Sequence, residues 1–205
     1  AAPRFLFLSG LEPIFQMTCR DRNGLALQGD LIGAAAFGIH NILVLAGDNP
    51  GAGDQPEAKP VYDMDSRGLI AMADRMRNEH KLPTGVPIEG RLDLVIGAAD
   101  VPVDPPADWS PKGLFAKAVA GADFVQTQFC MDTGIVRRYA ARLRELGFKL
   151  PILIGVAPIP SARSARWMRE KLFGTVVPDA SVGRLEKAAD PKAEGTRICV
   201  ELLRE

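Results

Sequence analysis

The chain has 205 residues, 47% of them apolar and 24% charged, with 25 basic side chains set against 25 acidic ones. That is the length and balance of one soluble globular domain, and a formal charge of zero without blocks of like sign speaks against nucleic acid as a main partner. The longest apolar runs are strand-sized, so no membrane span is expected, and the short, weakly basic start Ala1-Ala-Pro-Arg-Phe-Leu-Phe-Leu-Ser-Gly10 does not read as a signal peptide.

In chain order, short apolar runs alternate with amphipathic stretches. Residues 5–10 read as the end of a helix. A strand is expected over residues 13–19, then a helix over 23–37 with Leu27, Leu31, Ala34 and Ala35 on one stripe and Gly38 in the left-handed cap position. The second strand, 41–48, carries the unbroken run Ile42-Leu-Val-Leu45 and opens into a Pro/Gly/Asp-rich loop over 49–65, a length typical of functional or mobile segments. A helix over 66–78 follows, with Ser66 as N-cap and Leu69, Ile70, Met72 and Met76 as its apolar residues. Next come a strand over 92–98 and a helix from Ser110 to Ala120 with Pro111 at its first helical position. A strand over 124–129, a helix over 132–146, a strand over 151–158, a helix over 161–172 and a last helix over 195–204 complete the pattern. Apolar runs without alternation mean burial on both faces, as in a parallel sheet covered by helices. Strand and helix repeating at this spacing point to a barrel or a doubly wound sheet. The strands are too few to close a barrel. The expectation is therefore a single barrel domain over 1–205 with strands at both ends outside this sequence; a smaller open sheet is the alternative.

In parallel α/β folds the site lies at the carboxyl ends of the strands. Those positions hold Gln16, Thr18, Cys19, Arg20 and Asp21, then Gly47 and Asp48, then Asp100, then Gln126, Gln128 and Asp132, and last Ser161. Asp48 ends a strongly apolar strand, and Gly47 before it lets another group approach the backbone. A carboxylate there can hold a cationic or NH-rich ring; a turn cap within Asp-Asn-Pro-Gly is the other reading. Gln128 can read the donor and acceptor pattern of a heterocycle or can be a satisfied structural amide, and Gln16 and Thr18 carry the same two readings. Cys19, Cys130 and Cys199 are widely spaced and odd in number, which fits neither a zinc site nor a disulfide framework and suits a reducing cytoplasm; Cys19 and Cys130, with no histidine placed as a base for either, read as small core residues. His40 and His80 read as helix-end or surface residues. Arg163 and Arg166 can meet anions or simply face solvent. The sequence has no glycine-rich dinucleotide fingerprint and no P-loop.

Five stretches together resemble the methylenetetrahydrofolate reductase family: Met17-Thr-Cys-Arg-Asp-Arg-Asn23, Leu25-Ala-Leu-Gln-Gly-Asp30, Gly38-Ile-His-Asn-Ile-Leu-Val-Leu-Ala-Gly-Asp48, Ala120-Gly-Ala-Asp-Phe-Val-Gln-Thr-Gln-Phe129 and Gly155-Val-Ala-Pro-Ile-Pro160. Singly they are weak; in this order over nearly the whole chain they are specific. The resemblance implies a (β/α)₈ TIM barrel, incomplete at both ends with its first, second and last strands outside this sequence, that holds a flavin at its mouth and passes a hydride from a nicotinamide cofactor to methylenetetrahydrofolate. It implies FAD, with FMN or looser flavin binding as alternatives, and NADH or NADPH as the donor. It makes Asp48 the catalytic carboxylate beside flavin and folate, buried and facing a cation. It assigns Gln128 to folate and nicotinamide, and Met168, or Trp167 beside it, to the place where an aromatic stacks on the substrate. It assigns Gln16, Thr18, Gly47, Asp48, Tyr62, Asp63 and Lys117 to the flavin, Lys117 near its phosphates or adenosine. It implies no metal, and it leaves self-association open. It places the enzyme in cytoplasmic one-carbon metabolism, serving methionine synthesis or one-carbon catabolism. The family's general acid, a glutamate in a Phe-Glu-x-x-Pro-Pro setting, and its flavin-contacting Tyr and His have no counterpart here; Gly-Ala-Ala-Asp-Val-Pro stands at the latter place. A folate- or corrinoid-linked methyltransferase on the same scaffold, or a non-catalytic reductase-like partner subunit, are the competing readings.

Overall fold

A computed structural model describes residue 6 and residues 8–205. The described chain is α/β. Strands β1 (Ile14–Thr18), β2 (Asn41–Leu45), β3 (Val95–Asp100), β4 (Phe124–Phe129) and β5 (Ile152–Gly155) alternate with helices α1 (Gly24–Ala36), α2 (Ser66–Glu79), α3 (Lys112–Val119) and α4 (Thr133–Glu145). Helices α5 (Ala162–Lys171), α6 (Asp179–Lys187) and α7 (Pro191–Arg204) complete it, with a 3₁₀ turn at Pro50–Ala52. The strands follow one another in the order β1-β2-β3-β4-β5, and β1–β2 and β2–β3 pair in parallel. The parallel α/β class expected from the unbroken apolar runs is met. No described helix is long and apolar enough to cross a membrane.

The chain forms two compact units: residues up to Ala99 with Pro111–Val125, and Asp100–Ser110 with Gln126–Glu205. In the first, Ile42, Leu43 and Val44 of β2 are all buried, as a strand covered on both faces requires. Leu27 and Leu31 of α1 and Leu69, Ile70 and Met76 of α2 join Ile96 in this core. The register sets Gln16 beside Leu43, Thr18 beside Leu45 and Leu43 beside Gly97. The Phe124 ring occupies the space that a Cβ on Gly97 would take. Arg77 of α2 donates to Asp123 at 2.5 Å and to the Leu94 carbonyl at 2.9 Å, while Asp123 also accepts from the Ile96 amide at 2.7 Å. One guanidinium and one carboxylate thereby fix the joint that enters β4.

In the second unit Met131, Ile159, Ala165, Met168, Val177, Val182, Leu185 and Ile198 form one buried cluster. Arg184 of α6 bonds to Glu194 at 2.8 Å and to Glu201 at 2.6 Å on α7. Helix α4 grips the loop after β3: the buried Tyr139 hydroxyl donates to Asp100, and Arg138 bonds to Asp104 at 2.7 and 2.9 Å. The Trp109 ring lies 5.7 Å from that of Tyr139.

Several boundaries differ from the sequence expectation. The N-cap of α2 is Asp65 rather than Ser66, its side chain accepting from the Gly68 amide at 2.7 Å. Pro111 is the residue before α3 and not its first helical residue. Helix α7 begins at Pro191, a turn before Gly195, because Asp190 caps it through the Ala193 amide. Helix α6 is an element the pattern did not suggest. Strand β2 stops at Leu45, so Gly47 and Asp48 lie just past it, and β5 stops at Gly155 before the proline-bearing segment. The helix end expected over residues 5–10 includes Phe5 and Phe7, which lie outside the described residues.

Candidate functional site

Side chains alternate along β1. Met17 and Cys19 are buried on one face, which turns Gln16 and Thr18 to the other. Gln16 is exposed and has no hydrogen-bond partner among the described residues. The Thr18 hydroxyl donates to Asp21 at 3.2 Å, and Arg20 donates to Asp21 at 2.6 and 2.9 Å and to the Asp48 carbonyl at 3.3 Å. Hydrogen bonding to Arg20 holds the Asp21 carboxyl below the usual carboxylate range. The same pairing, with Asp48 as a further nearby negative charge, raises Arg20.

Gly47 is required twice. Its φ of +89° favours glycine, and an added Cβ would stand 2.7 Å from Arg20 Cβ and 3.3 Å from Thr18 Cβ. The group that approaches this backbone is therefore Arg20. The far end of the long loop returns to the same place. The Val61 amide donates to the Arg20 carbonyl at 2.7 Å, and the Tyr62 amide to the Cys19 carbonyl at 3.2 Å. Tyr62, at a φ of +45°, also donates its hydroxyl to the Gly47 carbonyl at 3.0 Å. Asp63 accepts from the Gly24 amide at 2.9 Å at the start of α1, beside Asn23, which caps that helix through Ala26. The loop is thus pinned where it nears α2.

The result is a backbone turn at Gly47–Asp48 whose carbonyls accept from Arg20 and Tyr62, while the Asp48 side chain is exposed and has no hydrogen-bond partner among the described residues. The expected burial of Asp48 is not found, because the loop covers its backbone and not its side chain. The exposed Asp48 carboxylate can accept from the N–H groups of a heterocycle, and the exposed Gln16 amide, in mid-strand beside Leu43, can both donate and accept.

Other expected site residues have local partners. Lys117 on α3 donates its ammonium to the Ala99 carbonyl at 2.7 Å, at the carboxyl end of β3. In the second unit, the Gln128 amide nitrogen donates to the Phe173 carbonyl at 3.2 Å, and its oxygen accepts from the Phe129 amide at 3.0 Å. Met168 lies in the buried cluster and cannot face a ring in solvent; Trp167 beside it is exposed. Cys19 and Cys130 are buried, and desolvation pushes both thiols up, so they are inert core groups as expected. His40 and His80 are exposed, His80 as the left-handed cap of α2. Arg166 pairs with Glu186.

Two features escaped the sequence reading. The Tyr139–Asp100 pair could have been found from Tyr139 and Leu143 sharing the buried face of α4. Burial, with Asp100 alongside, raises the Tyr139 hydroxyl and keeps it protonated. The exposed Phe173 follows a helix and precedes a glycine, which is a turn signal.

Residues 5–205 match the family described as methylenetetrahydrofolate reductase. The chain is similar to a "probable methylenetetrahydrofolate reductase (NADPH)" of Caenorhabditis elegans, 28% identical over 99% of this chain and 29% of that protein. It is similar to "methylenetetrahydrofolate reductase 2" of Saccharomyces cerevisiae, 26% identical over 94% of this chain and 32% of the relative. It is also similar to "methylenetetrahydrofolate reductase (NADH) 1" of Arabidopsis thaliana, 26% identical over 94% of this chain and 33% of the relative. The chain spans about a third of the length of the curated relatives it matches.

Proposed function

Because the chain belongs to the methylenetetrahydrofolate reductase family, we propose that the protein reduces 5,10-methylenetetrahydrofolate to 5-methyltetrahydrofolate on a (β/α)₈ barrel, with NADH or NADPH as hydride donor and FAD as carrier. The observation that carries this reading is Asp48, an exposed carboxylate without a hydrogen-bond partner among the described residues, just past the carboxyl end of a parallel strand and next to a glycine whose Cβ would meet Arg20, with the exposed Gln16 amide on the adjacent strand. This donor set fits a flavin: a carboxylate and an amide complement the mixed N–H and carbonyl edge of its pyrimidine ring. When bound, the flavin supplies the two-electron relay between nicotinamide and folate.

The chain's own residues have distinct roles in this reading. The Asp48 carboxylate faces the positive charge of an iminium form of the folate and stabilises the carbon that accepts the hydride. Arg20 and Tyr62 hold the Gly47–Asp48 backbone, so they orient Asp48 without competing for its side chain. Thr18 supports Arg20 through Asp21. Asp63 anchors the covering loop rather than meeting the cofactor directly. Lys117 keeps two further N–H donors for a phosphate beyond the one given to Ala99. Gln128 offers its amide to the folate once its hold on Phe173 is relaxed. Cytoplasmic one-carbon metabolism and the supply of methyl groups for methionine fit the same reading.

The direct test is Asp48→Asn. Folate reduction should fall by roughly 10²-fold or more in kcat, because the electrostatic stabilisation is removed while the shape is kept. Turnover equal to the unaltered protein would remove Asp48 from the mechanism. A colourless protein with no affinity for added flavin would favour a methyltransferase on this scaffold.

A further inference from the structure

Helix α1 differs from α2 and α4 in what it shows to solvent. The exposed positions of α2 carry Arg67, Arg75, Asn78 and Glu79, and those of α4 carry Arg137, Arg138, Arg144 and Glu145, as the outer face of a helix covering a sheet normally does. Every exposed residue of α1 is apolar or glycine: Leu25, Ala26, Gly29, Ile32 and Ala36. Leu25 is 78% exposed and Ile32 38%, while Leu27, Leu31 and Ala34 fill the opposite, buried face. A helix that is apolar on all sides is ordinarily covered on all sides. Glycine also weakens a helix interior relative to alanine, and neither Gly29 nor Gly33 makes room for a neighbour within the copy. Apart from the backbone of α1, no described atom lies within 4 Å of where a Cβ would stand on either.

The spacing along this face identifies what covers it. Leu25, Gly29, Ile32 and Ala36 are separated by 4, 3 and 4 residues, so they lie on one line along the helix, and the spacing is the same in both directions. Large and small side chains alternate along that line. When a second α1 is laid antiparallel across a two-fold axis, Ile32 of each copy meets Gly29 of the other and Leu25 meets Ala36, large against small at every position. The open space over Gly29 admits the Ile32 side chain. Charge agrees with this pairing. Asp30 is the one ionisable side chain on α1 and is neutralised by Arg22 of the same copy, so two copies meet without unpaired like charges. A different partner protein would not call for a stripe that complements itself. We propose that the outward face of α1 is a self-association surface, on which a second copy of this chain docks its own α1 antiparallel across a two-fold axis. The contact is one helix face per copy, short of the roughly 1,000 Å² that a stable interface buries, so the dimer dissociates on dilution.

Sedimentation velocity over a concentration series tests this on the unaltered chain, Leu25→Glu, Gly29→Leu and the double variant that combines Gly29→Leu with Ile32→Ala. The unaltered chain should pass from monomer to dimer as its concentration rises. Leu25→Glu places a charge in the contact and should leave only monomer, with Tm in dilute solution unchanged because the residue is exposed. Gly29→Leu adds apolar surface and removes a helix-weakening glycine, so the stability of each copy should hold or rise. It also fills the space that Ile32 enters, and should lower the association constant roughly tenfold or more. The double variant restores large against small in the reverse sense and should recover much of the dimer. A chain that stays monomeric at every concentration would overturn the assignment. So would a dimer left intact by Leu25→Glu and Gly29→Leu, since the contact would then lie elsewhere. A double variant that associates no more tightly than Gly29→Leu alone would overturn the pairing of Ile32 with Gly29.

Discussion

At the scale of single residues, the candidate site depends on backbone more than on side-chain contacts. Gly47 combines a positive φ with Arg20 at the position of its missing Cβ. Gly47→Ala is therefore expected to cost about 1–3 kcal/mol, through left-handed strain plus displacement of Arg20. Urea unfolding measures this, and a stability equal to the unaltered chain would show that Arg20 can move aside at no cost. Asp48 was legible in sequence as the polar end of an apolar strand, and the structure places it three residues past the end of β2. Its exposure was not legible, since that follows from a loop that returns over the backbone at Val61 and Tyr62, more than a dozen residues away. Met168 shows the same limit from the other side. On α5 the inward stripe runs through Ala165 and Met168, with Leu172 just after the helix packing against the same cluster, so a one-residue step separates the buried Met168 from the exposed Trp167. Motif position alone does not settle which of two neighbours faces solvent; helical phase does.

At the scale of elements, strands were the easiest to read. Ile42-Leu-Val-Leu45 is buried in the way its unbroken apolar run requires, and Gly38, Gly121 and Gly147 each follow a helix with positive φ. Helix α6 was hidden because it is short, follows Pro178 and holds only Val182 and Leu185 as buried residues. The loop after β3 was equally opaque, because its order comes from α4. Tyr139 supplies the donor for Asp100, and Trp109 packs on its ring. Tyr139→Phe keeps the packing and removes the donor, so a loss of about 1–3 kcal/mol is expected from the unsatisfied carboxylate. Hydrogen exchange should rise across residues 100–110; exchange unchanged there would mean that packing alone orders the loop.

At the scale of the whole molecule, charge balance rather than excess charge governs its response to pH. Arg184 holds the Glu194 and Glu201 carboxyls below their ordinary range by hydrogen bonding. Their folded-state pKa values lie below the unfolded ones, so this stabilisation is present above the ordinary glutamate range and is lost as pH falls through the depressed folded values. Arg184→Gln should accordingly lower Tm at neutral pH, with a deficit that shrinks on acidification and in high salt. A deficit independent of pH would assign Arg184 a packing role only. The parallel α/β class and the family could be read from alternating runs and five ordered motifs, whereas the partners of each polar side chain could not, because they come from segments distant in sequence.

The central claim is folate reduction. The most direct measurement is oxidation of NADH or NADPH by the purified protein with 5,10-methylenetetrahydrofolate, with and without added FAD. The account predicts oxidation that requires the folate, yields 5-methyltetrahydrofolate in equal amount, and is strongest with FAD present. Nicotinamide oxidation that ignores the folate, or none at all with FAD supplied, would contradict it.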